Sequence, residues 1–215
     1  MKYDTVVFDM DGTLLNTLDD IADSVNAILR QYQYPEKSLE EVRLAVGNGA
    51  RQLMRLVLPG GEENPKFEQI LKEYGAYYQE HCQKKTRAYD GIPELLQALK
   101  DAGVKMAIVS NKGDGAVKEL NRQYFAKNIE TAVGEREGIR RKPEPDSVLE
   151  ALRILDSQKE RALYVGDSEV DYHTAKKGKL TCVLVSWGFR DREQLAALQP
   201  DYLIDDPEQL LDILQ

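Results

Sequence analysis

The chain has 215 residues and a formal net charge of −8, with 29 lysines and arginines against 37 aspartates and glutamates. The charges are scattered without a basic stripe, which disfavours nucleic acid as a partner, and the two cysteines lack the spacing of a zinc site or a disulfide framework. The N-terminal stretch reaches an aspartate after three consecutive apolar positions, so we expect a cytoplasmic protein with neither a signal peptide nor a membrane span.

Short apolar runs bounded by turn residues predict six strands, at residues 3–8, 104–109, 129–133, 161–165, 181–186 and 202–204. Apolar residues spaced at i, i+3, i+4 and i+7 predict helices between them, for example over residues 92–99 and 148–155. From about residue 90 onward strands and helices alternate. This alternation predicts an α/β fold, a Rossmann-like core with a mainly parallel sheet and helices on both faces.

The segment after the first strand departs from this alternation. No strand is predicted between residues 8 and 104, whereas helical spacing recurs and Ser38 with Glu41 forms a capping-box pattern. We therefore predict an α/β core of residues 1–15 and 84–215, with a small helical cap of residues 16–83 inserted after strand 1. Ligands of open α/β sheets bind beyond the carboxyl ends of the strands, so we expect the insertion to act as a lid there.

Polar residues follow several of the predicted strands. Because the carboxyl ends of parallel strands share one edge of the sheet, these residues should gather there. They are Asp9, Asp11, Ser110, Asn111, Lys142, Asp167 and Asp171. Carboxylates crowded in one cleft repel unless a cation or a proton intervenes, and Mg²⁺ favours such oxygen ligands. Asp9 and Asp167 are the predicted metal carboxylates, and zinc is disfavoured because these loops contain no histidine or cysteine.

A hydroxyl, an amide and a lysine facing a metal suit a phosphate group. A carboxylate can act as the nucleophile in phosphoryl transfer, because it is ionised at neutral pH and forms an acyl phosphate that water later cleaves. The second aspartate, Asp11, would then protonate the leaving alkoxide and take a proton from the attacking water. Two carboxylates directly after the first strand therefore predict phosphoryl-transfer chemistry.

Four ordered motifs carry a family resemblance: DMDGT at 9–13, VSN at 109–111, RKPEP at 141–145 and GDSEVD at 166–171. With them the chain resembles, over essentially its whole length, the haloacid dehalogenase superfamily, specifically its phosphatases with a helical cap after the first motif. The resemblance implies that Asp9 is the nucleophile and that Asp11 is the general acid/base and a metal ligand through its main-chain carbonyl. It further implies that Ser110 and Lys142 hold phosphate and that Asp167 completes a Mg²⁺ site.

A finer resemblance comes from VGNGARQLM at 46–54 and SWGFR at 186–190, which look most like bacterial phosphoglycolate phosphatases. In the third motif the relatives often have histidine between the prolines, and here Glu144 adds negative charge near the phosphate lysine. From the predicted cap, Arg51 and Asn48 are candidate specificity residues. Arg51 either meets a substrate carboxylate or is a surface arginine.

Two other site residues have structural alternatives. Ser110 and Asn111 can cap the following helix instead of contacting phosphate. Asp171 can form a capping-box-like pattern with Ser168 instead of supporting the metal, which we expect it to do partly through water.

The leading hypothesis is a Mg²⁺-dependent phosphomonoester hydrolase acting through an aspartyl phosphate on a small anionic metabolite, with 2-phosphoglycolate first. Pyrophosphate, nucleoside monophosphates, sugar phosphates and a β-phosphoglucomutase-like phosphotransfer are the alternatives on the same fold. A metal-free dehalogenase is disfavoured by Asp11, Gly12 and the acidic fourth motif. A receiver module for signalling is much shorter and needs no cap. The partner is a small phosphorylated molecule, with no nucleic acid and no membrane, and monomer and homodimer both remain open.

Overall fold

The computed structural model describes residues 1–215. Eight strands occur: β1 Thr5–Phe8, β2 Leu15–Asn16, β3 Arg87–Ala88, β4 Lys105–Gly113, β5 Thr131–Glu135, β6 Ala162–Gly166, β7 Thr181–Val185 and β8 Tyr202–Ile204. Ten α-helices occur: α1 Leu18–Gln31, α2 Leu39–Ala45, α3 Gly49–Val57, α4 Phe67–His81, α5 Ile92–Asp101, α6 Asp114–Tyr124, α7 Asp146–Ile154, α8 Glu169–Gly178, α9 Arg192–Ala197 and α10 Gln209–Ile213. No helix combines the length and the apolar character needed to cross a membrane.

Six strands form one parallel sheet in the order β5-β4-β1-β6-β7-β8. β1 lies at its centre, paired with β4 on one side and β6 on the other. Every residue of β1 and β6 is buried, so both faces of the central sheet are covered. The predicted α/β fold with a mainly parallel sheet is confirmed.

The chain divides into two compact units. One comprises Met1–Leu15 and Ala88–Gln215 and contains the six-stranded sheet, and the other comprises Asn16–Arg87 and contains α1 to α4. The chain passes between the units within β2 and within β3, which pair as a separate two-stranded sheet. The expected second boundary, at residue 84, lies a few residues before the observed one.

The helical unit begins with strongly amphipathic α1, whose apolar residues Ile21, Val25 and Ile28 are buried. The predicted capping box at α2 is confirmed. The Ser38 hydroxyl accepts the backbone N–H of Glu41, and the Glu41 carboxylate accepts the backbone N–H of Ser38.

β4 differs from its prediction in a way that matters for the site. It continues past Val109 to Gly113, with a shift in its pairing to β5, so Ser110 and Asn111 belong to the strand instead of following it. Helix α6 begins at Asp114 after Gly113, so neither Ser110 nor Asn111 is its N-cap. The alternative in which these residues cap the next helix is wrong.

Candidate active site

Three predicted site residues lie at the carboxyl edge of the central strands. Asp9 follows β1, Ser110 lies near the end of β4, and Asp167 follows β6. Since β1 is paired in parallel with both neighbours, these three positions come together at one edge of the sheet. Lys142 comes from the loop before α7, and Asp171 from the first turn of α8.

A buried acidic cluster forms at this edge. Asp9, Asp167 and Asp171 each offer a carboxylate oxygen, and these atoms lie within 4.8 Å of one another. Burial, followed by the charge of Asp171, raises the pKa of Asp9 well above its ordinary range and that of Asp167 to about 7. Such a concentration of oxygen donors can hold a hard metal cation, whose charge would offset the repulsion.

Lys142 supplies a buried positive charge to the cluster. Its Nζ lies 2.8 Å from Asp9 Oδ1, 2.8 Å from Asp171 Oδ1 and 3.1 Å from the Tyr164 hydroxyl. Burial acts to lower the pKa of Lys142, but the two carboxylates outweigh it and raise that pKa above its usual range. Lys142 is therefore an ammonium ion aimed at the carboxylate predicted to be the nucleophile.

Asp171 accepts hydrogen bonds on both of its oxygens. Oδ1 receives Lys142 and the Tyr164 hydroxyl, and Oδ2 receives the Ser168 hydroxyl at 2.6 Å and the Asp167 backbone N–H at 3.2 Å. Burial alone would raise the pKa of Asp171, but Lys142 and these donors hold it below its usual range. Ser168 is also the N-cap of α8 and accepts the N–H of Asp171, so the capping alternative is observed as well. The predicted metal contact of Asp171 stays a prediction, because these donors would compete with an ion.

Asp167 is held in place from two directions. The Phe189 backbone N–H donates to its Oδ2 at 2.7 Å, and the Thr13 hydroxyl approaches its Oδ1 at 3.3 Å. Two glycines allow this packing, because a Cβ on Gly12, where φ is +84°, or on Gly188 would collide with the Asp167 side chain. Glycine in DMDGT and in SWGFR therefore leaves space for the carboxylate predicted to bind the metal.

Asp11 has partners on β4. The Ser110 hydroxyl lies 3.4 Å from its Oδ2, and the ammonium of Lys112 lies 3.1 Å from its Oδ1. Sequence reasoning missed Lys112. Its signal was its position two residues after Ser110, since alternate residues of a strand point to the same face. Recognising this signal required knowing that β4 extends beyond Val109.

The Asn111 side chain forms hydrogen bonds to the loop that carries Lys142. Its side-chain amide donates to the Lys142 backbone carbonyl at 3.0 Å and accepts the Lys142 backbone N–H at 2.7 Å. This pair of hydrogen bonds places Lys142 relative to β4. A direct phosphate contact of Asn111 stays a prediction.

Glu144 lies on the same loop, and its charge is matched locally. Its carboxylate approaches Lys177 Nζ at 2.5 Å and the Arg140 guanidinium at 3.8 Å. The negative charge that Glu144 was expected to add near Lys142 is therefore paired with two exposed cations.

The two residues predicted from the helical unit have the following surroundings. Asn48 is the residue before α3 and makes no side-chain capping bond. Arg51, in the first turn of α3, pairs with Glu68 at 2.6 Å and Glu62 at 3.4 Å, and its guanidinium lies over the Phe67 ring. Its 40% exposed side chain is thus already paired with carboxylates of its own unit. A contact of either residue with substrate stays a prediction.

Comparison with known proteins identifies the family. A family model described as haloacid dehalogenase-like hydrolase matches residues 6–185. The N-acetylmuramic acid 6-phosphate phosphatase of Pseudomonas aeruginosa is 31% identical over 216 residues, which cover 100% of this chain and 96% of that protein. The phosphoglycolate phosphatase of Pseudomonas syringae pv. syringae is 32% identical over 213 residues, covering 96% and 78%.

A solved structure gives the same result. The crystal structure of a protein provisionally named phosphoglycolate phosphatase, from Lactobacillus delbrueckii subsp. bulgaricus, matches with a TM-score of 0.94 at 31% identity. The match covers 100% of this chain and 99% of that chain. The resemblance predicted from the four motifs is confirmed, and the chain belongs to the haloacid dehalogenase-like hydrolase family.

Proposed function

We propose that this chain hydrolyses phosphomonoesters of small metabolites in two steps through a phosphoryl group carried on Asp9. The chain is a phosphatase of its family, as the relatives named phosphatases support. The observation that carries the proposal is the 2.8 Å approach of Lys142 Nζ to Asp9 Oδ1 inside a buried acidic cluster. A phosphoryl group on Asp9 would bring its anionic oxygens to this ammonium.

In the first step a carboxylate oxygen of Asp9 attacks phosphorus, and the bond from phosphorus to the ester oxygen breaks. Asp11 gives its proton to the leaving alkoxide. In the second step water attacks the phosphorus of the aspartyl phosphate, Asp11 takes a proton from that water, and inorganic phosphate leaves Asp9. Ser110 and Lys142 hold the phosphoryl oxygens in this scheme.

The donor set fits Mg²⁺, which Asp9, Asp167 and the main-chain carbonyl of Asp11 would hold, with Asp171 in support. The fit rests on the buried carboxylates, which lie close together. Burial and mutual repulsion raise the pKa values of Asp9 and Asp167, and a bound cation would relieve that repulsion. When bound, the cation supplies positive charge that favours the ionised carboxylates and draws phosphate oxygens into the site.

For the substrate we propose a small anionic phosphomonoester, with 2-phosphoglycolate first. The support is the pair of relatives named phosphoglycolate phosphatase, together with the likeness of residues 46–54 and 186–190 to such enzymes. The relative named N-acetylmuramic acid 6-phosphate phosphatase makes a sugar phosphate the second candidate.

The experiment that tests the function is phosphate release from a panel of phosphomonoesters and pyrophosphate, with Mg²⁺ and with a chelator. We expect turnover of 2-phosphoglycolate that requires Mg²⁺ and is highest within the panel. A sugar 6-phosphate that is turned over faster would favour the second candidate. No Mg²⁺-dependent release from any phosphomonoester would refute the proposed function.

A further inference from the structure

Lys142 has a complete set of partners before any substrate binds. An ammonium has three N–H donors, and the three acceptors around Lys142 Nζ are Asp9 Oδ1, Asp171 Oδ1 and the Tyr164 hydroxyl oxygen. With a side chain only 2% exposed, Lys142 has little room to reorient toward solvent. A phosphoryl group can therefore receive one of these N–H groups only in place of a present partner.

The partner that Lys142 exchanges is the Asp9 carboxylate, because the phosphoryl group is transferred to Asp9. Transfer to Asp9 puts phosphoryl oxygens where Lys142 now meets the Asp9 carboxylate, so that N–H passes from carboxylate to phosphoryl oxygen. Asp171 and Tyr164 then remain as the two fixed contacts of the ammonium. Two contacts define its direction, whereas one contact would leave it free to rotate.

We propose that Tyr164 is a positioning residue for phosphoryl transfer, whose hydroxyl, together with Asp171, keeps the Lys142 ammonium aimed at the phosphoryl group on Asp9. The hydroxyl accepts from Lys142 at 3.1 Å and donates to Asp171 Oδ1 at 2.8 Å, so it links both charged partners. This inference rests on the proposed phosphatase function.

A simpler account is that Tyr164 is a core residue whose hydroxyl needs a hydrogen bond. Its ring does pack in the core with Val7, Ala107 and Cys182. Tyr3 shows what that account predicts, because its buried side chain contacts the Thr181 hydroxyl, at 3.0 Å, and the exposed Lys2 ammonium, neither of which belongs to the acidic cluster. Tyr164 instead bonds two charged groups of the site.

The test compares Tyr164→Phe with Tyr3→Phe as the matched control, since each substitution removes one buried tyrosine hydroxyl. For Tyr164→Phe we expect kcat to fall about tenfold, the effect of losing one hydrogen bond to a charged group, with KM nearly unchanged. Inhibition by orthovanadate, which mimics the five-coordinate phosphoryl group, should weaken by a similar factor. The Mg²⁺ concentration for half-maximal activity should stay as in the unaltered chain.

Three results would overturn the inference: an unchanged kcat, an equal loss in Tyr3→Phe, or a shifted Mg²⁺ requirement, which would place the effect at the metal site. If Tyr164→Phe fails to fold by circular dichroism, Tyr164→Met, which replaces the ring and its hydroxyl by a flexible apolar side chain, is judged by the same criteria. An active unaltered chain with unaffected Tyr164 variants removes this inference alone. An inactive unaltered chain removes the proposed function and this inference with it.

Discussion

The sheet edge and the helical unit each contain a short ion pair, but the two pairs differ in their exposure to solvent. Lys142 and Asp171 are 2.8 Å apart with side chains 2% and 0% exposed, whereas Arg51 and Glu68 are 2.6 Å apart with side chains 40% and 74% exposed. Water screens the second pair and leaves the first unscreened. The same contact thus has different consequences in the two regions.

The difference shows that the sheet edge, unlike the ion pair of Arg51, keeps charged side chains buried, which costs free energy. Buried charges are stable only when they are paired and hydrogen-bonded, and the sheet edge gathers Asp9, Asp167, Asp171 and Lys142 in one connected cluster. The helical unit has a buried carboxylate as well, Asp20. Its charge is used structurally, since it accepts the backbone N–H groups of Lys85 and Thr86. The cluster at the sheet edge is the arrangement suited to chemistry.

The largest expected effect follows from Asp9→Asn, which keeps the shape of the side chain and removes its nucleophilic charge. We expect phosphate release to fall by about a thousandfold or more, because no aspartyl phosphate can form. The fold should persist, since Lys142 retains Asp171 and Tyr164. The assay is phosphate release alongside circular dichroism. Substantial activity in a folded Asp9→Asn variant would contradict the mechanism.

Lys142→Met and Arg51→Met test the two regions with the same substitution. We expect Lys142→Met to lower the free energy of unfolding by about 3–5 kcal/mol, because buried carboxylates lose their cation. Arg51→Met, at an exposed pair, should cost about 1 kcal/mol or less. Urea denaturation in the presence of a chelator measures both, and equal losses would contradict the contrast between the regions.

The loss in Lys142→Met should also depend on pH. Without the ammonium, the pKa of Asp171 in the folded chain rises above its unfolded value, so the folded variant binds more protons than the unfolded one. Its stability relative to the unaltered chain therefore falls as pH rises above the unfolded pKa. We expect a smaller deficit at pH 5 than at pH 8.

Asp167 provides a further pH test without altering its neighbours. Its folded-state pKa is about 7 against an ordinary value of 3.8, so the folded chain holds this proton more tightly than the unfolded chain. The stabilisation from this group is present below about pH 4 and is lost, by a few kcal/mol, as pH rises to about 7. Urea denaturation in chelator, compared with Asp167→Asn, isolates the effect. An identical pH dependence in both chains would contradict the raised pKa.

Added Mg²⁺ should reverse this loss. A metal ion binds the ionised carboxylates, so its stabilising effect must compete with protons. We expect the rise in melting temperature on adding Mg²⁺ to be larger at pH 7.5 than at pH 5.5, and to be reduced in Asp167→Asn. Na⁺ at matched ionic strength separates a specific site from general screening, and Ca²⁺ tests whether that site prefers the smaller ion.

Sequence reasoning predicted the site residues that directly follow apolar runs. Asp9 and Asp167 stand at the ends of buried strands, and a parallel sheet necessarily brings such ends together. The same logic predicted Ser110, which lies at this edge although β4 runs past it. Asn111 was predicted to contact phosphate, and its observed contacts are with the backbone of Lys142, a partner 31 residues away that strand spacing alone does not identify.

The hydrogen bonds of Tyr164 to Lys142 and Asp171 could not be predicted in this way. Tyr164 lies within the apolar run of β6 and reads as a core aromatic residue, and its partners lie in a loop and a helix. The two-residue strands β2 and β3 were missed because no periodicity can be read from two residues. Arg51 presents the opposite problem, since an arginine near a helix start has many surface carboxylates available and the sequence does not choose among them.

The smallest expected effect concerns Arg51 and sharpens the comparison at its exposed side. If Arg51 meets the carboxylate of the substrate, it must exchange Glu68 for that group. Arg51→Ala should then raise KM for 2-phosphoglycolate about threefold, and Glu68→Gln, which removes the competing carboxylate, should lower it. Hydroxyethyl phosphate, which lacks the carboxylate, should show neither change. Equal KM values for both substrates in both variants would make Arg51 a surface ion pair and leave selection of the substrate to other residues.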